Sequence, residues 1–175
     1  MSELRKTYEG GVFFVTLTVE GWIDVFIRRE YAEELIKNLQ YCQREKGLLL
    51  YGYCIMSSHL HLIAAAEKGK LSEVLADFKS YTAKQLLHLI AGHPQESRRE
   101  WMMQLFRQYG GKDGKRYSFW QYTNHPVDLY SPQVMRQKLE YVHNNPVKAG
   151  IVARPEDYAY SSASPHSVLA VLPAY

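Results

Sequence analysis

Residues 48–66, LLLYGYCIMSSHLHLIAAA, constrain the fold more than any other stretch of this chain. Two apolar pieces, 48–55 and 59–66, are separated by a short turn signal at Ser57-Ser58. Neither piece approaches the roughly 20 continuous apolar residues that span a bilayer. Their length and the turn between them predict a β-hairpin. Side chains alternate along a strand, so His59 and His61 project from one face, roughly 7 Å apart. Leu60 and Leu62 point to the other face. Two imidazoles on one face of an otherwise apolar strand need partners, because burying an unpaired polar group is costly.

The flanking segments supply the rest of a sheet. Residues 12–19, VFFVTLTV, follow Gly10-Gly11 and predict a strand buried on both faces. Residues 29–46 place Tyr31, Leu35, Leu39 and Cys42 on one helical stripe that ends at Gly47. Residues 71–91 form a longer helix, stopped by Gly92 and Pro94, and 98–109 allow a short one. GGKDGKR, from Gly110, is expected to be a flexible basic loop, and residues 119–129 one broken or two short strands. Residues 131–145 form a last helix, with Ser131 as its cap and Pro132 in its first turn. Pro146 is expected to stop it, because the residue before a proline avoids helical geometry. The order strand, helix, strand, strand, helix, strand predicts a ferredoxin-like α+β fold, an antiparallel sheet with helices packed on one face. The late helix, carrying Tyr141, comes in addition. The 175 residues fit a single domain.

Composition narrows the function classes. The formal net charge of +3 is mildly basic and permits a nucleic-acid partner without requiring one. Fourteen tyrosines suit base stacking as well as an ordinary core. The two cysteines, Cys42 and Cys54, have no ligand-like spacing, so a disulfide framework is not expected. The N-terminus lacks the apolar core of a signal peptide. The expectation is a cytoplasmic protein that does not engage a membrane.

His59 and His61 have the geometry to share one divalent ion, leaving room for a third protein ligand and for substrate oxygens. The same pair also fits two half-buried histidines, each hydrogen-bonded locally. On the late helix, Met135, Leu139 and Val142 form the core stripe, with Val134, Lys138, Tyr141 and Asn145 on the next. A phenol is a weak nucleophile unless a metal or basic side chains activate it. The amide oxygen of Asn145 suits a hard cation. The plainer alternative packs Tyr141 at the core edge and leaves Asn145 to cap the helix.

Two motifs together resemble a known family. YCIMSSHLHLI resembles the Met-Pro-Asn-His-Val-His-Leu strand of the single-tyrosine HUH transposases, in which U is a bulky apolar residue. QKLEYVHNNPVKAGIV resembles the tyrosine helix of one branch, the REP-associated tyrosine transposases. FKSYTAKQ and FWQ…NHP match the same branch, and the resemblance runs over about residues 10–163. It implies a ferredoxin-like fold and metal-dependent cleavage and rejoining of single-stranded DNA through a 5′-phosphotyrosine. Carried over residue by residue, His59, His61 and Asn145 match the metal ligands and Tyr141 the nucleophile. The implied cofactor is Mg²⁺ or Mn²⁺. The implied partner is single-stranded or hairpin DNA, bound by a monomer or a homodimer. Ser57-Ser58 departs from the usual Pro-Asn turn, and the tail SPHSVLAVLPAY matches no family segment.

Further candidates for DNA contact are Lys79 and Lys84 on the second long helix and Lys112, Lys115 and Arg116 in the basic loop. Arg5 and Lys6 fit a basic arm. His125 lies within the family pattern without a clear role, and a local structural bond is expected for it. Two other functions stay open on sequence grounds. One is a domesticated hairpin-DNA-binding module with little or no cleavage. The other is a metal-dependent phosphodiesterase that uses water.

Overall fold

A computed structural model of the chain describes residues 7–112 and 114–174. Arg5 and Lys6 lie outside the described residues. Four strands form one antiparallel sheet: β1 (Phe13–Thr18), β2 (Leu48–Ile55), β3 (His59–Ala66) and β4 (Val127–Asp128), in the order β2-β3-β1-β4. That is the strand order of a ferredoxin-like fold. The helices are α1 (Arg29–Glu45), α2 (Leu71–Gly92), α3 (Arg99–Lys112) and α4 (Pro132–Lys148). No helix among the described residues is long and apolar enough to cross a membrane.

Alternation along the strands divides the core into two layers. Val15 and Leu17 of β1 and Leu60, Leu62 and Ala64 of β3 join residues of α1, α2 and α3 in the main cluster. Phe14, Cys54 and Ile63 face the other way and pack with Met135 and Val142 of α4. Thus α1–α3 cover one face, and α4 lies on the histidine face, where Tyr158 and Ala174 of the tail join its cluster. A β-bulge between Leu50 and Gly52 adds one residue to β2, which keeps Leu48, Leu50, Tyr53 and Ile55 all in the main core. Gly52 sits at this bulge beneath α4. A Cβ there would stand 2.5 Å from Leu139 Cδ1, so the missing side chain lets the helix settle close to the sheet.

Three elements differ from the sequence expectation. The last helix does not stop at Pro146 but runs to Lys148, with the proline buried inside it. A proline removes one N–H, and here the loss falls in the final turn. Ala149 N bonds to Asn145 O at 3.0 Å and Ile151 N to Pro146 O at 2.9 Å, so the turn closes around it. The supposed loop at Gly110-Gly111-Lys112 is instead the end of α3. The returning chain crosses that turn at Tyr117, within 2.5 Å of where a Gly110 Cβ would be, so the glycine serves close packing. The segment 119–129 contributes an isolated bridge, Trp120 to Val19, and the two-residue β4. It still follows the edge of β1, with Gln121 N to Thr18 O at 2.8 Å and Thr16 N to Asn124 O at 3.0 Å. His125, at φ +43°, and Pro126, with no N–H, break the ladder between these contacts and β4.

The tail lines the opposite edge. Ile55 N bonds to Tyr160 O and Ser162 N to Tyr53 O, both at 2.9 Å, and Leu172 N to Leu50 O at 2.8 Å. These bonds satisfy and cover β2, which would otherwise be an open sheet edge.

A buried ion cluster fixes the chain that leads into α1. The Glu96 side chain is 1% exposed and accepts from Arg28 Nε at 2.7 Å and from Arg98 Nε at 3.1 Å. Arg98 also donates to Asp24 O at 2.8 Å. Burial alone would raise the Glu96 pKa, but Arg98, through its side chain and its backbone N–H, and Arg28 override burial and hold it at about 2. The folded value lies below the ordinary carboxylate value of 4.5, so this stabilisation is complete above pH 4.5 and is lost as pH falls toward 2. Glu96→Gln is expected to cost about 3 kcal/mol at neutral pH. Denaturant titrations at several pH values should show the acid limb in the natural chain and a flatter one in the variant.

Candidate active site

The site starts from the pairing of β1 with β3, in which Thr18 stands opposite His59 and Thr16 opposite His61. The two imidazoles share a face, as the alternation predicts, with ring centroids 4.7 Å apart. Because α4 lies on this face, Tyr141 comes down beside them, its ring 5.6 Å from that of His61. On the other side, Trp22 meets His59 edge-on at 5.4 Å. The result is a row of four rings: Tyr141, His61, His59, Trp22. Phe14 forms the floor, stacked on His61 at 5.4 Å and edge-on to Tyr141 at 5.8 Å.

Two ammonium groups flank the tyrosine. Lys138 Nζ lies 5.4 Å from the Tyr141 ring centroid and 5.0 Å from that of Phe14. Lys148 Nζ lies 5.5 Å from the Tyr141 centroid. Lys138 precedes Tyr141 by one turn and Lys148 follows it by two, so one helix face presents all three.

The histidines are held neutral. Burial pushes the His61 pKa down to about 3, and the charges of His59 and Lys138 push the same way. Burial also lowers that of His59, against an opposing pull from Asp24. His61 Nδ1 is 2.9 Å from Thr16 Oγ1, and His59 Nδ1 is 3.2 Å from Ser58 Oγ. Among the described residues, His61 Nε2 is the one buried side-chain nitrogen or oxygen without a hydrogen-bond partner. An Nδ1–H donated to Thr16 leaves a lone pair on Nε2, the tautomer that a metal ligand requires. This donor set fits a divalent cation. Among the described residues no group of three or more His, Cys, Asp or Glu is placed to hold one, so the shell would need other donors.

Asn145 lies one turn after Tyr141 and donates from Nδ2 to Tyr141 O at 3.5 Å, the outer limit of a hydrogen bond. His143 is turned toward the tail. Its Nε2 is 2.8 Å from Ser162 Oγ, which ties α4 to the tail.

The basic candidates do not gather at this row. Lys79 donates to Gln121 O at 2.7 Å, Tyr122 O at 3.2 Å and Asn124 Oδ1 at 2.9 Å. All three of its protons hold the 121–124 segment, and burial lowers its pKa to about 8. Lys84 lines a groove between α1 and α2, on the layer away from the histidines. Lys112 lies over the Tyr109 ring at 5.2 Å and Arg116 over that of Tyr117 at 5.4 Å, while Lys115 is exposed beside them. His125 Nε2 bonds locally to Thr123 Oγ1 at 2.9 Å, the structural bond expected for it.

Sequence reasoning did not pick out Trp22, Thr16, Phe14 or Lys148. Thr16 and Phe14 become visible only once β1 is paired with β3. Lys148 keeps helical spacing from Tyr141, a signal hidden by reading Pro146 as the end of the helix.

No family model and no curated protein matches the chain. Among solved structures it is similar to a REP-associated tyrosine transposase bound to a REP hairpin, with a TM-score of 0.64. The likeness covers 93% of this chain and 82% of that chain at 19% identity. The chain thus has the α+β fold of a REP-associated tyrosine transposase.

Proposed function

We propose that the protein is a metal-dependent single-stranded DNA endonuclease and strand transferase acting at hairpin-bearing DNA, with Tyr141 as its nucleophile. The observation that carries this reading is the placement of Tyr141 beside His61, which packs against His59 and has a buried, unpartnered Nε2. The shared fold and the hairpin bound to the solved transposase support it. His59, His61 and the Oδ1 of Asn145 would hold Mg²⁺ or Mn²⁺. When bound, such a cation polarises a phosphodiester and offsets charge on the departing oxygen.

The remaining steps belong to the chain. Tyr141 Oη attacks phosphorus and gives up its proton to solvent. An Oη–P bond forms as the bond from phosphorus to the 3′-oxygen breaks, and the departing oxygen takes up a proton as a 3′-hydroxyl. Lys138 and Lys148 present positive charge to the phosphate on either side of the phenol. Attack by a second 3′-hydroxyl reverses the step and joins new ends. The phosphotyrosine conserves the phosphodiester bond energy, so no nucleotide triphosphate is consumed. Lys112, Lys115 and Arg116, interleaved with Tyr109 and Tyr117, suit contact with the hairpin outside the cleavage site. Lys84 is a further phosphate contact on the remote layer.

The test is a 3′-end-labelled DNA hairpin with single-stranded flanks, incubated with the protein and Mn²⁺. Label should migrate with the protein in a denaturing gel, and the released strand should end in a 3′-hydroxyl. Cleavage without label transfer would mean a water nucleophile. Binding with neither would mean a recognition module.

A further inference from the structure

We propose that Trp22 is a stacking platform for a nucleobase of the single strand, at the end of the ring row remote from Tyr141. The proposal rests on the DNA-processing reading above, but its test reads binding alone, so the two can fail separately.

Three observations converge on this side chain. Its ring packs edge-on against His59 at 5.4 Å, yet the residue is 58% exposed. Its backbone has φ +55°, a region that bulky L-residues rarely adopt. The turn that holds it is fixed on both sides: Trp22 N bonds to Val19 O at 3.0 Å, and Glu20 N to Phe119 O at 2.8 Å. Gly21, at φ +62°, has the Tyr109 hydroxyl 2.5 Å from where a Cβ would be, so Tyr109 closes the turn from outside.

A turn with two successive positive φ values would be better served by glycine or asparagine at its second place. An exposed tryptophan there is costly to the fold. Strain of this kind collects at functional positions, where the surroundings enforce it. The indole is therefore explained by what it touches outside the core. Every base has a π face, so stacking holds a single strand without demanding a sequence. The Tyr109 ring that closes the turn at Gly21 is itself held under Lys112 Nζ, 5.2 Å from its centroid. A strand lying along Tyr141 and the histidines would reach the indole.

The experiment measures fluorescence anisotropy of labelled (dT)12 in EDTA, in a Tyr141→Phe background so that no cleavage intervenes. Adding Trp22→Gly should weaken binding about tenfold, while Trp22→Phe recovers most of the loss. The slope of log affinity against log salt should not change, because no phosphate contact is removed. The thermal midpoint of the Trp22→Gly protein should be equal or higher, since glycine accepts the backbone angle. Unchanged affinity in Trp22→Gly overturns the proposal, as does failure of the parent to bind (dT)12. A loss of binding that follows a lowered midpoint and is not recovered by phenylalanine also overturns it.

Discussion

Tyr141→Phe is expected to lower adduct formation and strand cleavage by at least about ten-thousandfold, while stability stays within about 0.5 kcal/mol of the natural chain. The two sides of this prediction have separate causes. The phenylalanine ring keeps the contacts with His61 and Phe14 and stays beside Lys138 and Lys148. Tyr141 is 39% exposed, so removing its hydroxyl strands no buried partner. Only the attacking oxygen disappears. Hairpin affinity, measured by anisotropy, should change by less than about threefold, because contacts that position DNA are distinct from the group that reacts. Retention of cleavage by this variant would shift the chemistry to water and leave Tyr141 as a wall of the site.

His61→Ala has the second largest expected effect. Cleavage should fall by at least about a hundredfold, with hairpin binding retained. Its effect on stability is a difference of two terms. Truncation opens a cavity under Phe14 and Tyr141, which costs about 2–3 kcal/mol. It also removes a buried Nε2 with no partner, a group that costs about 1–3 kcal/mol to leave unsatisfied. The apo proteins should therefore melt within a few degrees of each other. Their response to metal should differ. Mn²⁺ at a hundredfold excess over its dissociation constant should stabilise the natural chain by about 2.7 kcal/mol and the variant by far less. Calorimetry with and without Mn²⁺ reads this directly, and EDTA should abolish cleavage in the natural chain without unfolding it. An equal metal response in both proteins would remove His61 from the metal shell.

How far the sequence foretold this site depends on which regularity each residue obeys. His59 and His61 follow the two-residue period of a strand, so their common face was legible from HLHL alone. Leu60 and Leu62 confirm it by entering the opposite layer. Lys138, Tyr141 and Asn145 follow the helical period, and their shared stripe was equally legible. Pro146 defeated the same rule. Local preference predicts a stop, but burial of the ring and the closing bonds at Ala149 and Ile151 carry the helix onward and bring Lys148 beside Tyr141. Gly110 misled for a related reason. A glycine pair reads as a loop, whereas here one of them lets the chain at Tyr117 cross closely. Lys79 shows a third kind of miss. Its charge pointed to phosphate, yet its three donors end on backbone and side-chain oxygens of 121–124, a segment distant in sequence. Trp22 left no signal, because neither an edge-on contact with His59 nor a positive φ has a pattern in the sequence.

The proposed chemistry turns on one covalent bond, which this chain makes easy to locate. Tyr141 lies in a tryptic peptide, Leu139–Lys148, bounded by Lys138 and Lys148. After reaction with hairpin DNA and Mn²⁺, digestion with trypsin and nuclease followed by mass spectrometry should find that peptide carrying a nucleotide joined through its 5′-phosphate to Tyr141. A nucleotide on any other residue, or cut DNA with free 5′-phosphates and an unmodified Leu139–Lys148 peptide, would contradict the account.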